Sequence, residues 1–281
     1  MARIESLNML LDPSGKDYLA ELYGKVIENV QKQTISSQLK NMDLSGNPAS
    51  GTVEAKRFAN ANSAAYGTAR AAGKGVAVKA KPVTVAIDKD REIVEELEQK
   101  DISLYGVDGV LDRRSRNHVN TMVRELERAF FAEAATAGTA FTTSETEVQK
   151  KVEAAIQQME TTKNDYVDGV DRSMMSVIAT PAVYGAIRDY LDTKTGNANV
   201  DTSVEGFERY HGVKVYSSVY LPTGVDFIVM VDGAVAQPVM PKPYTAEKVP
   251  LSEAYAVSLF FYYGTKAVTP DLILKAAAAS A

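Results

Sequence analysis

Residues 45–82 read SGNPASGTVEAKRFANANSAAYGTARAAGKGVAVKAKP, and this stretch decides how the rest of the chain is interpreted. It is too long for an ordinary connection and has too few large apolar side chains to form a core. The alternation of residues in 52–58 and in 76–81 predicts the two strands of a long hairpin. Because an isolated two-stranded hairpin is only marginally stable in water, we expect this segment, called the extended loop below, to dock on a neighbouring molecule.

The extended loop is basic, whereas the rest of the chain is acidic. Six Lys/Arg and one acid, Glu54, give the loop a charge of +5, so the net charge of −5 leaves −10 for the other residues. Residues 88–101 contain seven acids and three bases, and this opposite charge makes them a candidate docking site for the loop of another copy. A solvated acidic face is the other interpretation, because exposed ion pairs contribute only about 0–1 kcal/mol.

These two charged segments supply the candidate interface residues. In the extended loop they are Lys56, Arg57, Phe58, Tyr66, Arg70, Lys74 and Lys79. In the acidic segment they are Glu92, Glu95, Glu96 and Glu98. Both sets indicate that the function of the protein lies in contacts between chains.

The composition excludes several classes of function. The 281-residue chain has no cysteine and two histidines, so disulfide frameworks, zinc ribbons and thiol catalysis are excluded, and a His-rich metal site is not expected. The first residues lack the apolar run of a signal peptide, and no stretch has the 18 or more apolar residues of a membrane span. We therefore expect a soluble protein that is made in the cytoplasm and has no membrane partner.

The residues before the acidic segment predict one helix and one strand outside the extended loop. The helix covers residues 14–42, with Ser14 as its N-cap and an apolar stripe along one side. The stripe consists of Leu19, Leu22, Val26 and Val30. A strand is predicted for residues 82–88, directly before the acids.

A longer helix is predicted for about residues 108–137, with apolar residues on one side and four arginines on the other. The arginines are Arg113, Arg116, Arg124 and Arg128. A solvated helix face is the plain interpretation of these arginines. The alternative is contact with a polyanion or with a neighbouring subunit.

The second half of the chain alternates between helix and strand patterns, which indicates an α+β region. Helices are predicted at about 144–161 and 180–191, strands at about 172–179, 213–215, 225–231 and 254–268, and a polar loop at 193–202. The aromatic residues of the last strand are interpreted as core packing. No internal repeat is present.

Three motifs follow one another in a recognisable order. VTVAID at 83–88 precedes the acidic segment, FERYHGVKVYSS at 207–218 is followed by Leu221-Pro222, and YYGTKAVTP at 262–270 ends the last strand. Together with the extended loop, this order resembles the major capsid proteins of tailed bacteriophages, which have the Hong Kong 97 fold. The resemblance spans nearly the whole chain, and none of the motifs is catalytic.

The resemblance implies an α+β capsid fold in five segments. They are an N-terminal arm at 1–44, an extended β-hairpin loop at 45–82, a peripheral domain at 83–142 with a spine helix at about 108–137, an axial domain at 143–249, and a return to the peripheral domain with a C-terminal tail at 250–281. No cofactor is implied.

The resemblance also implies a function. Copies of the chain are expected to form hexamers and pentamers of an icosahedral-type shell around double-stranded DNA, each extended loop lying across an adjacent subunit. A separate scaffolding protein, a portal and a decoration protein are the implied partners. The implied location is the virion capsid, assembled in the host cytoplasm.

The residues offer no catalytic constellation, so the chain is not expected to be an enzyme. The acids of 165–171 do not have the spacing of a calcium loop, and neither His118 nor His211 lies near a recognised nucleophile motif. Two other functions stay open. They are an encapsulin-type nanocompartment shell, which shares the fold, and a sequence-independent DNA-binding protein that uses the basic loop on phosphates.

Overall fold

The structure is a computed structural model that describes residues 6–103, 105–193 and 207–278. The α-helices are α1 (Pro13–Gln33), α2 (Ser36–Leu39), α3 (Thr68–Ala72), α4 (Gln99–Ile102), α5 (Gly106–Ala137), α6 (Val148–Glu160) and α7 (Pro181–Asp192). The strands are β1 (Thr52–Phe58), β2 (Ala80–Ala86), β3 (Lys89–Leu97), β4 (Thr139–Phe141), β5 (Lys163–Asn164), β6 (Val167–Asp168), β7 (Met175–Ala179), β8 (Arg209–Tyr210), β9 (Val213–Ser217), β10 (Val225–Val231), β11 (Val235–Ala236), β12 (Val239–Pro241), β13 (Thr245–Lys248), β14 (Tyr255–Tyr263), β15 (Lys266–Ala267) and β16 (Ile273–Ala277). The predicted polar loop at 193–202 lies outside the described residues, apart from Thr193.

The first long helix starts earlier and ends sooner than the sequence predicts. Asp12 occupies the N-cap position and Pro13 the first helical position, which suits proline because its missing N–H would be unpaired there. The predicted N-cap Ser14 is therefore wrong. The helix ends at Gln33, since Thr34 has an extended backbone, and α2 follows as a separate turn. The predicted apolar stripe of α1 is buried as expected.

The extended loop is a hairpin, but its returning strand lies later in the chain than predicted. Strands β1 and β2 pair antiparallel, with Phe58 opposite Ala80 at one end and Thr52 opposite Ala86 at the other. The segment predicted as a separate strand at 82–88 therefore supplies most of the returning strand. Val85 is buried with Val53 in a small cluster at the loop base, which favours this register over one that would pair 76–81.

The acidic segment is mostly a strand. Its first part forms β3, which pairs antiparallel with β14 along its whole length, from Lys89 opposite Tyr263 to Leu97 opposite Tyr255. Strands β12 and β13 pair with the other edge of β14, and the four strands form the first large sheet, called the four-stranded sheet below. Helices α1 and α5 cover one face of this sheet, where Leu259 and Phe261 are buried with Met122 of α5.

The predicted last strand is interrupted because the chain passes the base of the extended loop. Strand β14 ends at Tyr263, and the next residue, Gly264, approaches the returning strand of the loop so closely that a Cβ would lie 1.7 Å from the Ala86 carbonyl oxygen. Only glycine fits at this crossing. A short strand, β15, follows it and pairs with β11.

The second large sheet has six strands in the order β4-β16-β10-β7-β9-β8. Helices α6 and α7 pack on one face, where Ile156 and Ile187 are buried with Val177. The last part of α5 packs on the other face, where Phe130 and Phe131 join a cluster with residues of this sheet. Helix α5 therefore spans both sheets: its first part lies on the four-stranded sheet and its last part on the six-stranded one.

Candidate assembly surfaces

The base of the extended loop is fixed to its own chain through Arg57. The Arg57 guanidinium donates two hydrogen bonds to the Asp271 carboxylate, at 2.5 and 2.7 Å, and lies 4.4 Å from the centre of the Tyr166 ring. Asn164 donates a further hydrogen bond of 2.7 Å to the same carboxylate, and the Asn60 N–H donates to the Asp165 carbonyl oxygen at 3.0 Å. These contacts join β1 to the β5–β6 hairpin and to the segment before β16.

The Arg57–Asp271 pair also affects the protonation of the carboxylate. Burial alone would raise the pKa of Asp271, but the hydrogen bond and the positive charge of Arg57 outweigh it and lower the pKa below its ordinary value. The carboxylate is therefore ionised at neutral pH. With a side chain 13% exposed, Arg57 is much less available to a neighbour than the sequence suggests.

The rest of the extended loop faces solvent. Every residue from 60 to 82 is exposed, and among the described residues the Lys56, Arg70, Lys74 and Lys79 side chains have no hydrogen-bond or ion-pair partner. Tyr66 is 98% exposed, and the exposed candidates also include Phe58 at 55%. Six of the seven loop candidates are thus free to meet another molecule, and Arg57 is the exception.

The four acidic candidates divide by the side of β3 on which they lie. Glu95 points toward the helices, where the Arg114 guanidinium donates a hydrogen bond of 2.8 Å to its carboxylate and lowers its pKa. Glu98 lies beyond the strand at the N-cap of α4, where its N–H donates to the Asp101 carboxylate at 3.0 Å and its side chain pairs with Lys100 at 2.6 Å. Glu92 and Glu96 are exposed on the opposite side of β3 from Glu95.

His118, which the sequence left without a role, connects α5 to the four-stranded sheet. Its Nδ1 lies 2.6 Å from the Tyr244 hydroxyl oxygen, and its Nε2 lies 3.1 Å from Glu95 Oε2. Burial lowers the pKa of His118, and the neighbouring Glu95 only partly offsets this effect, so the ring is neutral at pH 7. This contact is structural, because it holds the helix against the strands.

The face of the four-stranded sheet away from the helices forms an apolar surface with acids around it. Phe260 lies opposite Glu92 and Tyr262 opposite Asp90, while Val94, 50% exposed, lies opposite Ser258. Phe260 and Tyr262 are only partly buried, in contrast to Phe261 and Tyr263 on the helix side. The prediction that all these aromatic residues pack in the core is therefore wrong for the two that face outward. We call this surface, made by Asp90, Glu92, Val94, Glu96, Phe260 and Tyr262, the outer sheet face.

The four arginines of α5 are all exposed, as the helical pattern indicates. Arg113 lies 4.2 Å from the centre of the Tyr105 ring, and Arg116 pairs with Asp112 at 2.8 Å. Arg124 and Arg128 have no hydrogen-bond or ion-pair partner among the described residues.

Other ionic clusters of the chain fasten elements together. Arg172 donates hydrogen bonds of 2.8 Å to both Glu153 and Glu160 of α6, and His211 Nδ1 lies 2.6 Å from Glu153. This cluster ties the β8–β9 turn to the helix. Within the described residues, no group of three or more acids and histidines could hold a metal ion. Nor is any helix in the described part of the chain long and apolar enough to cross a membrane.

Comparison with known proteins places this arrangement among viral shell proteins. A family model described as "Phage capsid protein" matches residues 89–276, whereas no curated protein matches the chain. A structure of Mycobacterium phage Che8 is 18% identical, with a TM-score of 0.63, and the match covers 87% of this chain and 91% of that chain.

Two further structures extend the comparison. The capsid of the cyanophage P-SCSP1u is 12% identical with a TM-score of 0.64, covering 88% of this chain and 89% of that chain. A virus-like particle from Pyrococcus furiosus is 11% identical with a TM-score of 0.59, covering 92% and 99%. At these identities the likeness shows a shared fold.

Proposed function

This chain belongs to the phage capsid protein family, and we infer from that membership that it is a major capsid protein whose copies assemble into the shell of a virion. The observation that carries the inference is the match over 89–276, which includes β3, the spine helix α5 and both large sheets. The likeness to tailed-bacteriophage capsid proteins predicted from the sequence is confirmed. The role is structural, because the chain acts through contacts between its copies.

We propose that the extended loop of one copy docks on the outer sheet face of the next. Between β1 and β2 the loop carries three positive charges, from Arg70, Lys74 and Lys79, and no acid. The outer sheet face carries three acids, Asp90, Glu92 and Glu96, around a partly exposed apolar centre. Opposite charges would orient the approach, while burial of apolar side chains would supply the binding free energy.

The apolar side chains of the loop suit this role. Tyr66, Val76 and Val78 are 98%, 93% and 82% exposed, although large apolar residues gain about 1.5–3 kcal/mol when fully buried. A hairpin that extends beyond its packed base has no core of its own, so a surface on another copy offers the missing contacts. The centre of the outer sheet face, with Val94 and Phe260, is also apolar.

Docking of this kind joins two different surfaces, so it repeats from copy to copy. Such a head-to-tail contact closes into a ring when its rotation permits, and we propose hexamers and pentamers as these rings. Many weak contacts in a closed array together give a stable assembly. The fixed base at Arg57 and the exposed tip beyond it would allow one loop to serve both ring sizes.

We further propose the contents and partners of the shell. Double-stranded DNA, held without sequence specificity, is the proposed content, and a separate scaffolding protein, a portal and a decoration protein are the proposed partners. Assembly is proposed to take place in the host cytoplasm. Family membership supports these proposals, since a phage capsid needs such partners to assemble its shell and to package its DNA.

Negative-stain electron microscopy of the purified full chain, with and without its scaffold, tests the shell. Closed shells, tubes or rings are expected, and chain that stays monomeric even with the scaffold present would contradict the inference. Replacing residues 60–79 by a two-residue turn tests the loop, since β1, β2 and the Arg57–Asp271 pair stay intact. This variant should fold and fail to assemble; closed shells from it would contradict the docking proposal.

The two other functions predicted from the sequence are not favoured. The fold is shared with the virus-like particle from Pyrococcus furiosus, so fold alone does not separate a capsid from other shells. The family match favours the capsid over both a nanocompartment and a monomeric DNA-binding protein. A protein cargo that copurifies with the shells in place of DNA would argue for the nanocompartment.

A further inference from the structure

The exposed side of α5 has an unusual composition. Between residues 112 and 128 the helix exposes Asp112, Arg113, Arg116, Asn117, Asn120, Arg124 and Arg128. These residues fall on one face of the helix, because successive residues are about 100° apart around its axis. We call this surface the arginine stripe. It carries four positive charges and one negative charge in a chain whose net charge is −5.

Most of the arginine stripe, from Asp112 to Arg124, points away from the four-stranded sheet. His118 marks the side of α5 that faces the sheet, since it contacts Tyr244 and Glu95. Around the helix axis, Arg113, Arg116 and Arg124 lie about 140°, 160° and 120° from His118, whereas Arg128, at the part of α5 that packs on the six-stranded sheet, lies about 80° from it. The molecule therefore has acids on the outer sheet face and arginines on the other side of the same layered unit.

Two of the four arginines form no hydrogen bond or ion pair within the described residues. Asp112 pairs with Arg116, and the Tyr105 ring lies beneath Arg113. The positive charge of Arg124 helps to lower the pKa of Glu125, but that carboxylate is bonded to Arg91 and Tyr263, so Arg124 and Arg128 form no hydrogen bond or ion pair within the described residues. They are separated by one helical turn and lie next to each other on the surface. An external anion is the partner that this pair lacks.

We propose that the arginine stripe binds the phosphate backbone of double-stranded DNA, independently of base sequence. From Arg113 to Arg128 the stripe is about 22 Å long, which corresponds to six or seven phosphates of one strand at about 3.4 Å each. Arginine and asparagine are both frequent partners of phosphate oxygens. The proposal rests on the proposed function, because it assigns this surface to the side of the shell that faces the packaged DNA.

The composition of the stripe favours DNA over a protein partner. Protein interfaces bind mainly through a few Trp, Tyr and Arg anchors, and these anchors lie in a well-packed centre that is depleted of other charged residues. Between residues 112 and 128 the stripe exposes only arginine, asparagine and one aspartate. A surface of charges and amides without an apolar centre suits the wet, sequence-independent contact that phosphates make.

The test measures binding of a fluorescent 30-base-pair duplex of random sequence to the unassembled full chain between 50 and 200 mM salt. In the variant with Arg124→Gln and Arg128→Gln, two phosphate contacts are lost, so the slope of log affinity against log salt should fall by about two. The charge-matched control, Lys150→Gln with Lys151→Gln on α6, should keep the wild-type slope. Equal slopes in all three proteins would overturn the proposal.

Two further readouts complete the test. A poly-glutamate peptide serves as the probe for an acidic protein partner: binding of this peptide through Arg124 and Arg128, with no duplex binding, would also overturn the proposal. Electron microscopy of the same variant reports on the shell separately, and it should assemble like the wild type. Failure of the wild-type chain to assemble would contradict the proposed function and would leave the duplex measurement as an independent result.

Discussion

Arg57 and Asp271 lie 214 residues apart in the sequence and form a bidentate ion pair, which fixes the base of the extended loop to the segment before the last strand. The pair divides the loop into two parts with different properties. The base packs on its own chain, and the tip beyond Asn60 is exposed throughout. The direction in which the loop leaves the molecule is therefore determined within each copy, before any neighbour is present.

Removing the charge of Asp271 should release Arg57. In Asp271→Asn the guanidinium loses its ionic partner, so the end of the β1–β2 pair should open more often and trypsin should cleave after Arg57 several-fold faster. Cleavage after Arg70, which is exposed in either case, is the internal control and should not change. Asp168→Asn, which removes an exposed acid from the nearby β5–β6 hairpin, is the matched variant, and equal cleavage after Arg57 in all proteins would contradict the role of the pair.

The same pair predicts a dependence of stability on pH. Arg57 lowers the pKa of Asp271 below the ordinary value of 3.8, so the ionised carboxylate stabilises the fold above that value. This contribution is lost as the pH falls through the lower pKa of the folded state. The difference in unfolding free energy between wild type and Asp271→Asn should be constant above about pH 5 and shrink toward pH 3. A difference that stays constant down to that pH would show that the carboxylate is not stabilised by Arg57.

The sequence predicted the three later long helices and the presence of a hairpin well, because their patterns are local. It misplaced the returning strand because 76–81 and 82–88 alternate equally well, and only the packing of Val85 against Val53 distinguishes them. The sequence did not predict strand β3, because most of its residues are charged. Glu95 takes an inward position that an apolar residue would normally occupy, and its partners Arg114 and His118 come from a different element.

The sequence predicted the charges of the candidate surfaces, but it did not predict the contacts that their residues make. The charge of the loop and of the acidic segment is visible in the sequence, and most of those residues are indeed exposed. Arg57 is paired within its own chain by Asp271, and no local sequence pattern connects these two residues. The outer sheet face was missed for the same reason, since it exists only once β3 and β14 are paired.

The contact between His118 and Tyr244 predicts a loss of stability on removing one hydroxyl group. Tyr244→Phe leaves the buried His118 Nδ1 without its partner at 2.6 Å, so the free energy of unfolding should fall by about 1–3 kcal/mol. Chemical denaturation measures this difference. Tyr66→Phe removes a hydroxyl group from an exposed ring and should have no effect. An unchanged stability in Tyr244→Phe would mean that water or another group replaces the hydroxyl.

The crossing at Gly264 predicts that a single methyl group cannot be added there. In Gly264→Ala the Cβ would meet the Ala86 carbonyl oxygen at 1.7 Å, so either β2 or β14 must move. We expect a loss of at least about 3 kcal/mol in unfolding free energy. The control is Gly185→Ala on α7, where no atom lies within 4 Å of the added methyl, and it should be neutral or slightly stabilising. Equal stability of the two variants would contradict the close approach.

Exchanging charges between copies tests where the extended loop docks. Glu92→Lys with Glu96→Lys places positive charges on the outer sheet face, which should repel the loop of the neighbour and reduce the fraction of chain found in shells. Adding Lys74→Glu and Lys79→Glu should restore part of that fraction, because attraction between the two surfaces is re-established with the signs reversed. The control, Glu21→Lys with Glu28→Lys on α1, changes the net charge equally on the helix side and should assemble normally. Since the attraction is electrostatic, rescue should weaken as salt rises from 50 to 500 mM. If the four-residue variant assembles no better than the first, the loop does not meet these acids, and the apolar residues of its tip must find another surface on the neighbour.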